Sequence, residues 1–125
     1  MHKLGYLAAP YQHVDPEVCR KRLQAVTLQA AMLFQQGIYV FSPLTHNVPI
    51  KDLGVMLGNW EVWKEYDELL LSRCDLLYVL QLEGWEKSKG VSAEIALAKK
   101  LKLPIEMLPP PLGYERTFSE KMLIP

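Results

Sequence analysis

The sequence predicts an α/β fold, a three-layer sandwich built on a four- or five-stranded parallel sheet. Three observations carry this expectation. Asp75–Leu82 is a continuous apolar run with no alternation, as in a strand covered on both faces. Strand-like and helix-like segments alternate along the chain in the order β-α-β-(loop)-α-β-α-β, the pattern of a parallel sheet with helical crossovers. Half of the 125 residues are hydrophobic, enough for one real core and too few residues for two domains.

The elements follow in order. Leu4–Ala8 is a short apolar run ended by Pro10, a buried first strand. Asp15-Pro16 is a helix start, with Asp15 as cap and Pro16 in the first turn. Cys19, Leu23, Val26, Ala30 and Leu33 then recur at helical spacing, with Lys21, Gln24 and Gln35 off that face. Gly37 stops the helix and Ile38–Phe41 is the second strand. Ser42–Asn59, rich in Pro, Asn, Asp and Gly, reads as a long loop with at most one helical turn, and such loops are often functional.

Helical spacing resumes over Trp60–Arg73, with Trp60, Trp63, Leu70 and one of Tyr66 or Leu69 facing inward. The apolar strand Asp75–Leu82 is followed by a polar loop, Glu83–Lys89, and a helix from about Val91 to Leu101. Pro104–Met107 is a last strand, Pro109-Pro110-Pro111 a stiff exit, and Tyr114–Leu123 a final helix or docking tail. The expectation is a single domain over 1–125, with a core at 4–107 and a tail at 108–125.

Fourteen Lys+Arg balance fourteen Asp+Glu, so no basic excess points to bulk nucleic acid, and a small-molecule partner is expected. Cys19 and Cys74 are too few for a disulfide scaffold and share no metal-ligand spacing with His2, His13 and His46. No metal is expected. The first apolar run is too short for a signal peptide, and no stretch reaches the roughly eighteen apolar residues of a membrane span. A cytoplasmic, soluble protein is expected. Tyr, Trp and Leu on helix faces suggest a homo-oligomer.

In open parallel sheets, ligands bind outside the carboxyl ends of the strands. That rule gathers Ala9–His13, Ser42–Asn47 and Glu83–Glu94 on one rim. The informative stretch is Gly84–Glu94, a strand-to-helix turn that presents backbone N–H groups to an anion. Ser88 adds a hydroxyl and Gly90 permits close approach. Glu94 is expected in the first helical turn, where the helix dipole keeps a carboxylate ionised near neutral pH, as a nucleophile must be. Spacing alone favours an ordinary first-turn charge. Its place beside the stripe Ile95, Ala98 and Leu101 leans toward an inward carboxylate.

Asp67 and Asp75 are further candidates, since paired carboxylates suit glycosidic chemistry. Asp75 reads better as a turn or cap, while Asp67 shares a charged neighbourhood with Glu65 and Glu68. Tyr6 packs or points its hydroxyl into a site; His46 reads as a loop surface residue. Arg20-Lys21-Arg22 reads as a solvated helix face, although Arg20 lies where it could reach a phosphate. Dinucleotide and P-loop fingerprints are absent, and no Ser–His–Asp arrangement stands out.

Taken together, these segments resemble the nucleoside 2-deoxyribosyltransferase superfamily, including its 2'-deoxynucleoside 5'-phosphate N-hydrolase branch. The resemblance rests on Tyr6-Leu7-Ala8-Ala9-Pro10-Tyr11, on Phe41-Ser42-Pro43 with His46, and on Gly84-Trp85…Ser88-x-Gly90-Val91-x-x-Glu94. It spans about Leu4 to Met107 and is closest to a bacterial family of that superfamily. It implies a flavodoxin-like sheet, a nucleoside or nucleotide substrate and no cofactor.

By the same resemblance, Glu94 is the nucleophile that attacks C1', Asp67 assists the departing base, and the Tyr6 hydroxyl orients the nucleophile. Ser88 and Gly90 match residues that hold the 5'-phosphate, and His46 falls where the hydrolase branch carries a site histidine. Ala9 lies on the substrate rim, and Trp85 stacks on a base, closes the pocket or covers the sheet. Where the hydrolases have a Gly- and Arg-rich turn, this chain has Ala9-Pro10-Tyr11-Gln12-His13; the arginine expected to grip phosphate is missing, and a 5'-phosphorylated substrate requires Arg20 or His13 to substitute for it.

The resulting expectation is cleavage or transfer at an N-glycosidic bond. A non-catalytic nucleotide-binding module and an NAD-hydrolase-like glycosidase stand as alternatives. The catalytic reading requires Tyr6, Asp67, Ser88 and Glu94 to converge on one pocket, with the carboxylates roughly 5–6 Å apart as in retaining glycosidases.

Overall fold

The computed structural model describes residues 2–54, 60–112 and 114. Four strands, β1 (Leu4–Ala8), β2 (Tyr39–Phe41), β3 (Leu76–Leu80) and β4 (Ile105–Leu108), form one sheet in the order β2-β1-β3-β4. All three pairings are parallel, with Tyr6 opposite Phe41 on one side and Leu77 on the other. The helices are α1 (Pro16–Gln35), α2 (Pro43–Asp52), α3 (Trp60–Ser72) and α4 (Lys89–Lys100), with a 3-10 turn at Trp85–Lys87. This is the expected α/β fold, with four strands among the described residues.

Strand alternation builds the two halves of the core. Leu7, Ala9, Tyr78 and Leu80 face one way and pack with Ala25, Val26 and Leu33 of α1. Tyr6, Ala8, Leu77 and Val79 face the other way and pack with Leu71 of α3 and Val91 and Ala98 of α4. Gly5 is required on the first face: a Cβ there would lie 2.4 Å from Cε2 of the Tyr78 ring. Glycine lets that ring cross β1.

Helix starts and stops follow the sequence signals. Asp15 caps α1, accepting from the Glu17 N–H at 2.9 Å, with proline opening the helix behind it. Gly37 ends the segment at φ +79°. Asp75 behaves as the cap it resembled: its N–H donates to Leu4 O at 2.7 Å, and its Oδ2 accepts from Leu4 N–H at 2.8 Å.

Four expectations are corrected. Residues 43–52, expected within a loop, form the helix α2, started by the Ser42 cap and Pro43. Pro49 inside that helix removes a backbone hydrogen bond, and the buried residues are only Pro43, Asn47 and Val48, so no apolar stripe announced it. On α1, Leu23, Val26, Ala30 and Leu33 of the expected stripe do pack on the core, but the buried face is wider and includes Arg22, Ala25 and Gln29. On α3 the inward residues are Trp63, Leu70 and Leu71, while Tyr66 and Leu69 are exposed. Leu101, placed on the α4 stripe, is 40% exposed, because the helix ends just before it.

Residues 55–59 of the expected loop, the Trp60 side chain and the tail after Tyr114 lie outside the described residues.

Candidate active site

Tyr6 starts the site because β1 turns it toward the α3–α4 layer, where it is fully buried. Its hydroxyl donates a 2.5 Å hydrogen bond to Glu94 Oε2. The ring of Phe41 stands beside it, centroids 6.0 Å apart. A buried phenol needs an acceptor, and Glu94 supplies it.

Glu94 is carried by α4, whose N-cap is Ser88; the Ser88 Oγ accepts from Val91 N–H at 3.2 Å. The helix therefore begins at Lys89, earlier than its apolar stripe suggested, and Glu94 falls in the second turn rather than the first. It is removed from the free N–H groups of the helix start. The residue keeps some exposed surface, yet its carboxyl is desolvated, and burial pushes it up to about 8. The Tyr6 hydrogen bond opposes that rise, and the charge of Asp67 adds to it. The expected ionised carboxylate is thus corrected: burial holds it toward its protonated form.

Asp67 comes from α3 and faces the same small cavity of about 60 Å³, lined by Asp67, Glu94, Gly90, Leu71 and Lys64 among others. Burial raises its carboxyl, against the opposing effects of the Asn47 hydrogen bond, Lys51 and His46. Asn47 was not singled out from sequence. It is buried on α2, donates from Nδ2 to Asp67 Oδ1 at 2.8 Å, and pairs its Oδ1 with His46 Nδ1 at 2.9 Å. The exposed His46 ring stacks on Tyr66 and lies 5.7 Å from the Phe41 centroid. Threonine pairing at 2.8 Å between Thr27 and Thr45 ties α2 to α1 on its other side.

A second and larger cavity, about 570 Å³, opens on the α1 side of the rim, lined by Gln12, His13, Lys21, Arg22, Lys87 and Ser88 among others. Arg22 was expected in a solvated run and is instead 8% exposed. Its Nη1 donates to the carbonyls of Gln12 at 3.0 Å and Tyr11 at 3.4 Å, and its Nη2 to Glu83 O at 2.8 Å. One guanidinium thereby holds the turn after β1 against the turn after β3. Gly84, at φ +88°, leaves space for it, since a Cβ there would meet Nη2 at 2.8 Å. Arg20 is exposed and engaged with Glu17.

The expected convergence is therefore partial. Tyr6 meets Glu94 through its hydroxyl, and Glu94, Asp67 and Gly90 line the small cavity together. Ser88 lines the large one, its Oγ occupied as the α4 cap. Ala9, expected on the substrate rim, is packed into the α1-side core and lines neither cavity, because its β-carbon follows Leu7 on that face. Trp85 packs, partly buried, against the α3–α4 core, covering the sheet end. Cys19 and Cys74 are free, and no cluster of three or more metal-ligating residues occurs among the described residues. No described helix is long and apolar enough to cross a membrane.

The structure is similar to that of a 2-deoxyribosyltransferase from the psychrotolerant bacterium Bacillus psychrosaccharolyticus, with TM-score 0.61 and 21% sequence identity. The likeness covers 85% of this chain and 72% of that one, and at this identity it speaks for the fold. No curated protein matches the chain. Residues 3–108 match the family described as "Domain of unknown function (DUF1937)", and the chain belongs to that family.

Proposed function

We propose that the protein cleaves or transfers at the N-glycosidic bond of a nucleoside or nucleotide, with Glu94 as nucleophile. The observation that carries this reading is the buried Tyr6–Glu94 hydrogen bond, with Glu94 and Asp67 lining one small cavity. The fold shared with a 2-deoxyribosyltransferase supports it.

In the first step the ionised Glu94 carboxylate forms a bond to C1' as the C1'–N bond breaks. The electron pair leaves with the base, which takes a proton from Asp67. Water, or a second base in a transfer reaction, then attacks C1', losing a proton to the Asp67 carboxylate and releasing Glu94. Tyr6 fixes which Glu94 oxygen is held, leaving the other for C1'. The large polar cavity across the rim receives the remainder of the ligand, and Lys21, Lys87 and His13 on its wall suit an anionic group such as a 5'-phosphate.

Release of free base from deoxynucleosides, their 5'-monophosphates and NAD is the direct test. Glu94→Ala is expected to lower the rate by about a thousandfold or more. The rate should follow a bell-shaped pH profile, because the first step needs Glu94 ionised and Asp67 protonated. Turnover that survives Glu94→Ala removes the assignment. Nucleotide binding without base release by the unmodified protein favours a binding module.

A further inference from the structure

We propose that Asn47 is a positioning residue that decides which oxygen of Asp67 carries the transferable proton and which nitrogen of His46 is protonated. The proposal rests on the reading of Asp67 as the acid of the reaction.

An amide has one face that only donates and one that only accepts. Asn47 Nδ2 lies 2.8 Å from Asp67 Oδ1, so Oδ1 must accept, whether or not the carboxyl is protonated. A proton on Asp67 is then confined to Oδ2. The same amide turns its Oδ1 to His46 Nδ1 at 2.9 Å, so that nitrogen must donate. In the neutral ring, Nε2 is left as the acceptor.

The hydrogen bonds therefore run in one direction, from His46 to Asn47 to Asp67. With Asp67 ionised, a flipped amide would turn its oxygen to a carboxylate that can only accept, so this orientation is the one that keeps both hydrogen bonds. Its surroundings hold it: Asn47 is 4% exposed, next to the buried Val48, on a helix whose start is fixed by Ser42 and Pro43. His46 is itself braced between Phe41 and Tyr66.

The charges around Asp67 are arranged consistently. Asn47, Lys51 and His46, all on α2, favour its ionised form, while burial opposes them. Glu94 on α4 and Tyr6 on β1 lie close enough to feel the Asp67 charge. Asn47 is the neighbour that restrains the rise without adding a charge. It keeps the acid weak enough to hold a proton and strong enough to give it up.

Two measurements on the full chain separate this from a purely structural role. Nitrogen-15 NMR of His46 is expected to show the Nδ1–H tautomer in the unmodified protein and a mixture of tautomers in Asn47→Ala. This arm needs no substrate, so it stands or falls apart from the proposed reaction. The second arm uses Asn47→Asp, which keeps the shape and replaces the donor with an acceptor. Base release from a natural deoxynucleoside is expected to fall about tenfold to a hundredfold in kcat with KM little changed. A deoxyriboside with an acidic leaving group, which departs without a proton, should be nearly unaffected.

An unchanged tautomer in Asn47→Ala overturns the orienting role. Equal losses on both substrates, or no loss, overturn the role in proton delivery. If the unmodified protein turns over neither substrate, the failure belongs to the reaction, and the NMR result still decides the orientation.

Discussion

The two sides of the strand-end rim differ in kind. On the α3–α4 side a cavity of about 60 Å³ is lined by Asp67 and Glu94 among others, with the buried Tyr6 phenol hydrogen-bonded to Glu94 behind it, and burial raises all three groups. On the α1 side a cavity of about 570 Å³ is walled by lysines, a histidine and an arginine already committed to backbone carbonyls. The larger space is lined by neither Glu94 nor Asp67. Desolvation strengthens charge interactions and tunes proton affinity, whereas a wet, cationic bowl serves to hold a polar ligand. Under the proposed reaction, chemistry and ligand holding fall on opposite sides of the rim, with α4 and its capping serine as the seam.

The sharpest break in that comparison is aimed at the dry side. Asp67→Asn keeps the shape and removes the proton that the leaving base requires. Base release from natural deoxynucleosides should fall by about 100-fold or more in kcat, within the range for loss of general acid catalysis. A substrate with an acidic leaving group should regain most of that loss, and ligand affinity should change little. If Asp67→Asn instead weakens binding with kcat intact, the division between chemistry and ligand seat is wrong.

Much of the frame was legible because its signals are local. The apolar runs of β1 and β3, the Asp15-Pro16 start and the Gly37 stop each act within a few residues. What escaped depends on partners far away in sequence. Arg22 lies among exposed-looking basic residues, and only the carbonyls of two remote turns explain its burial. The helix α2 was hidden by Pro49 and by a buried face that includes the polar Asn47. Glu94 was picked out by its place after Ser88 and Gly90, but its elevated proton affinity comes from burial, with Asp67 adding to it. No spacing rule along one segment reports that.

A second test needs no substrate. The Glu94 carboxyl has an ordinary value of 4.5 and is pushed up to about 8 in the fold, so the folded state binds its proton more tightly than the unfolded chain. The associated stability is fully present below 4.5, declines as the pH rises, and is lost by about 8. Glu94→Gln has no proton to lose, so its stability should stay flat across that window. With allowance for partial solvent screening, the variant should gain ~2 kcal/mol on the unmodified protein between pH 5 and 8. Thermal melts over that range measure it directly. Parallel curves for the two proteins would mean the Glu94 side of the rim is as wet as the other.

The smallest expected effect concerns the seam. If Ser88 serves as the α4 cap, Ser88→Ala should cost about 1 kcal/mol, or roughly 3–6 °C in a thermal melt. Ser88→Asp should restore most of that loss, because aspartate caps equally well and suits the helix dipole. The same aspartate places a negative charge on the wall of the large cavity, where it should weaken binding of a 5'-monophosphate and spare the unphosphorylated nucleoside. Stability and phosphate affinity thus move in opposite directions between the two variants, because one hydroxyl faces the helix while its residue lines the bowl. Should Ser88→Asp bind both ligands alike, the α1-side cavity is not where a phosphate sits, and only the dry side of the rim retains an assigned role.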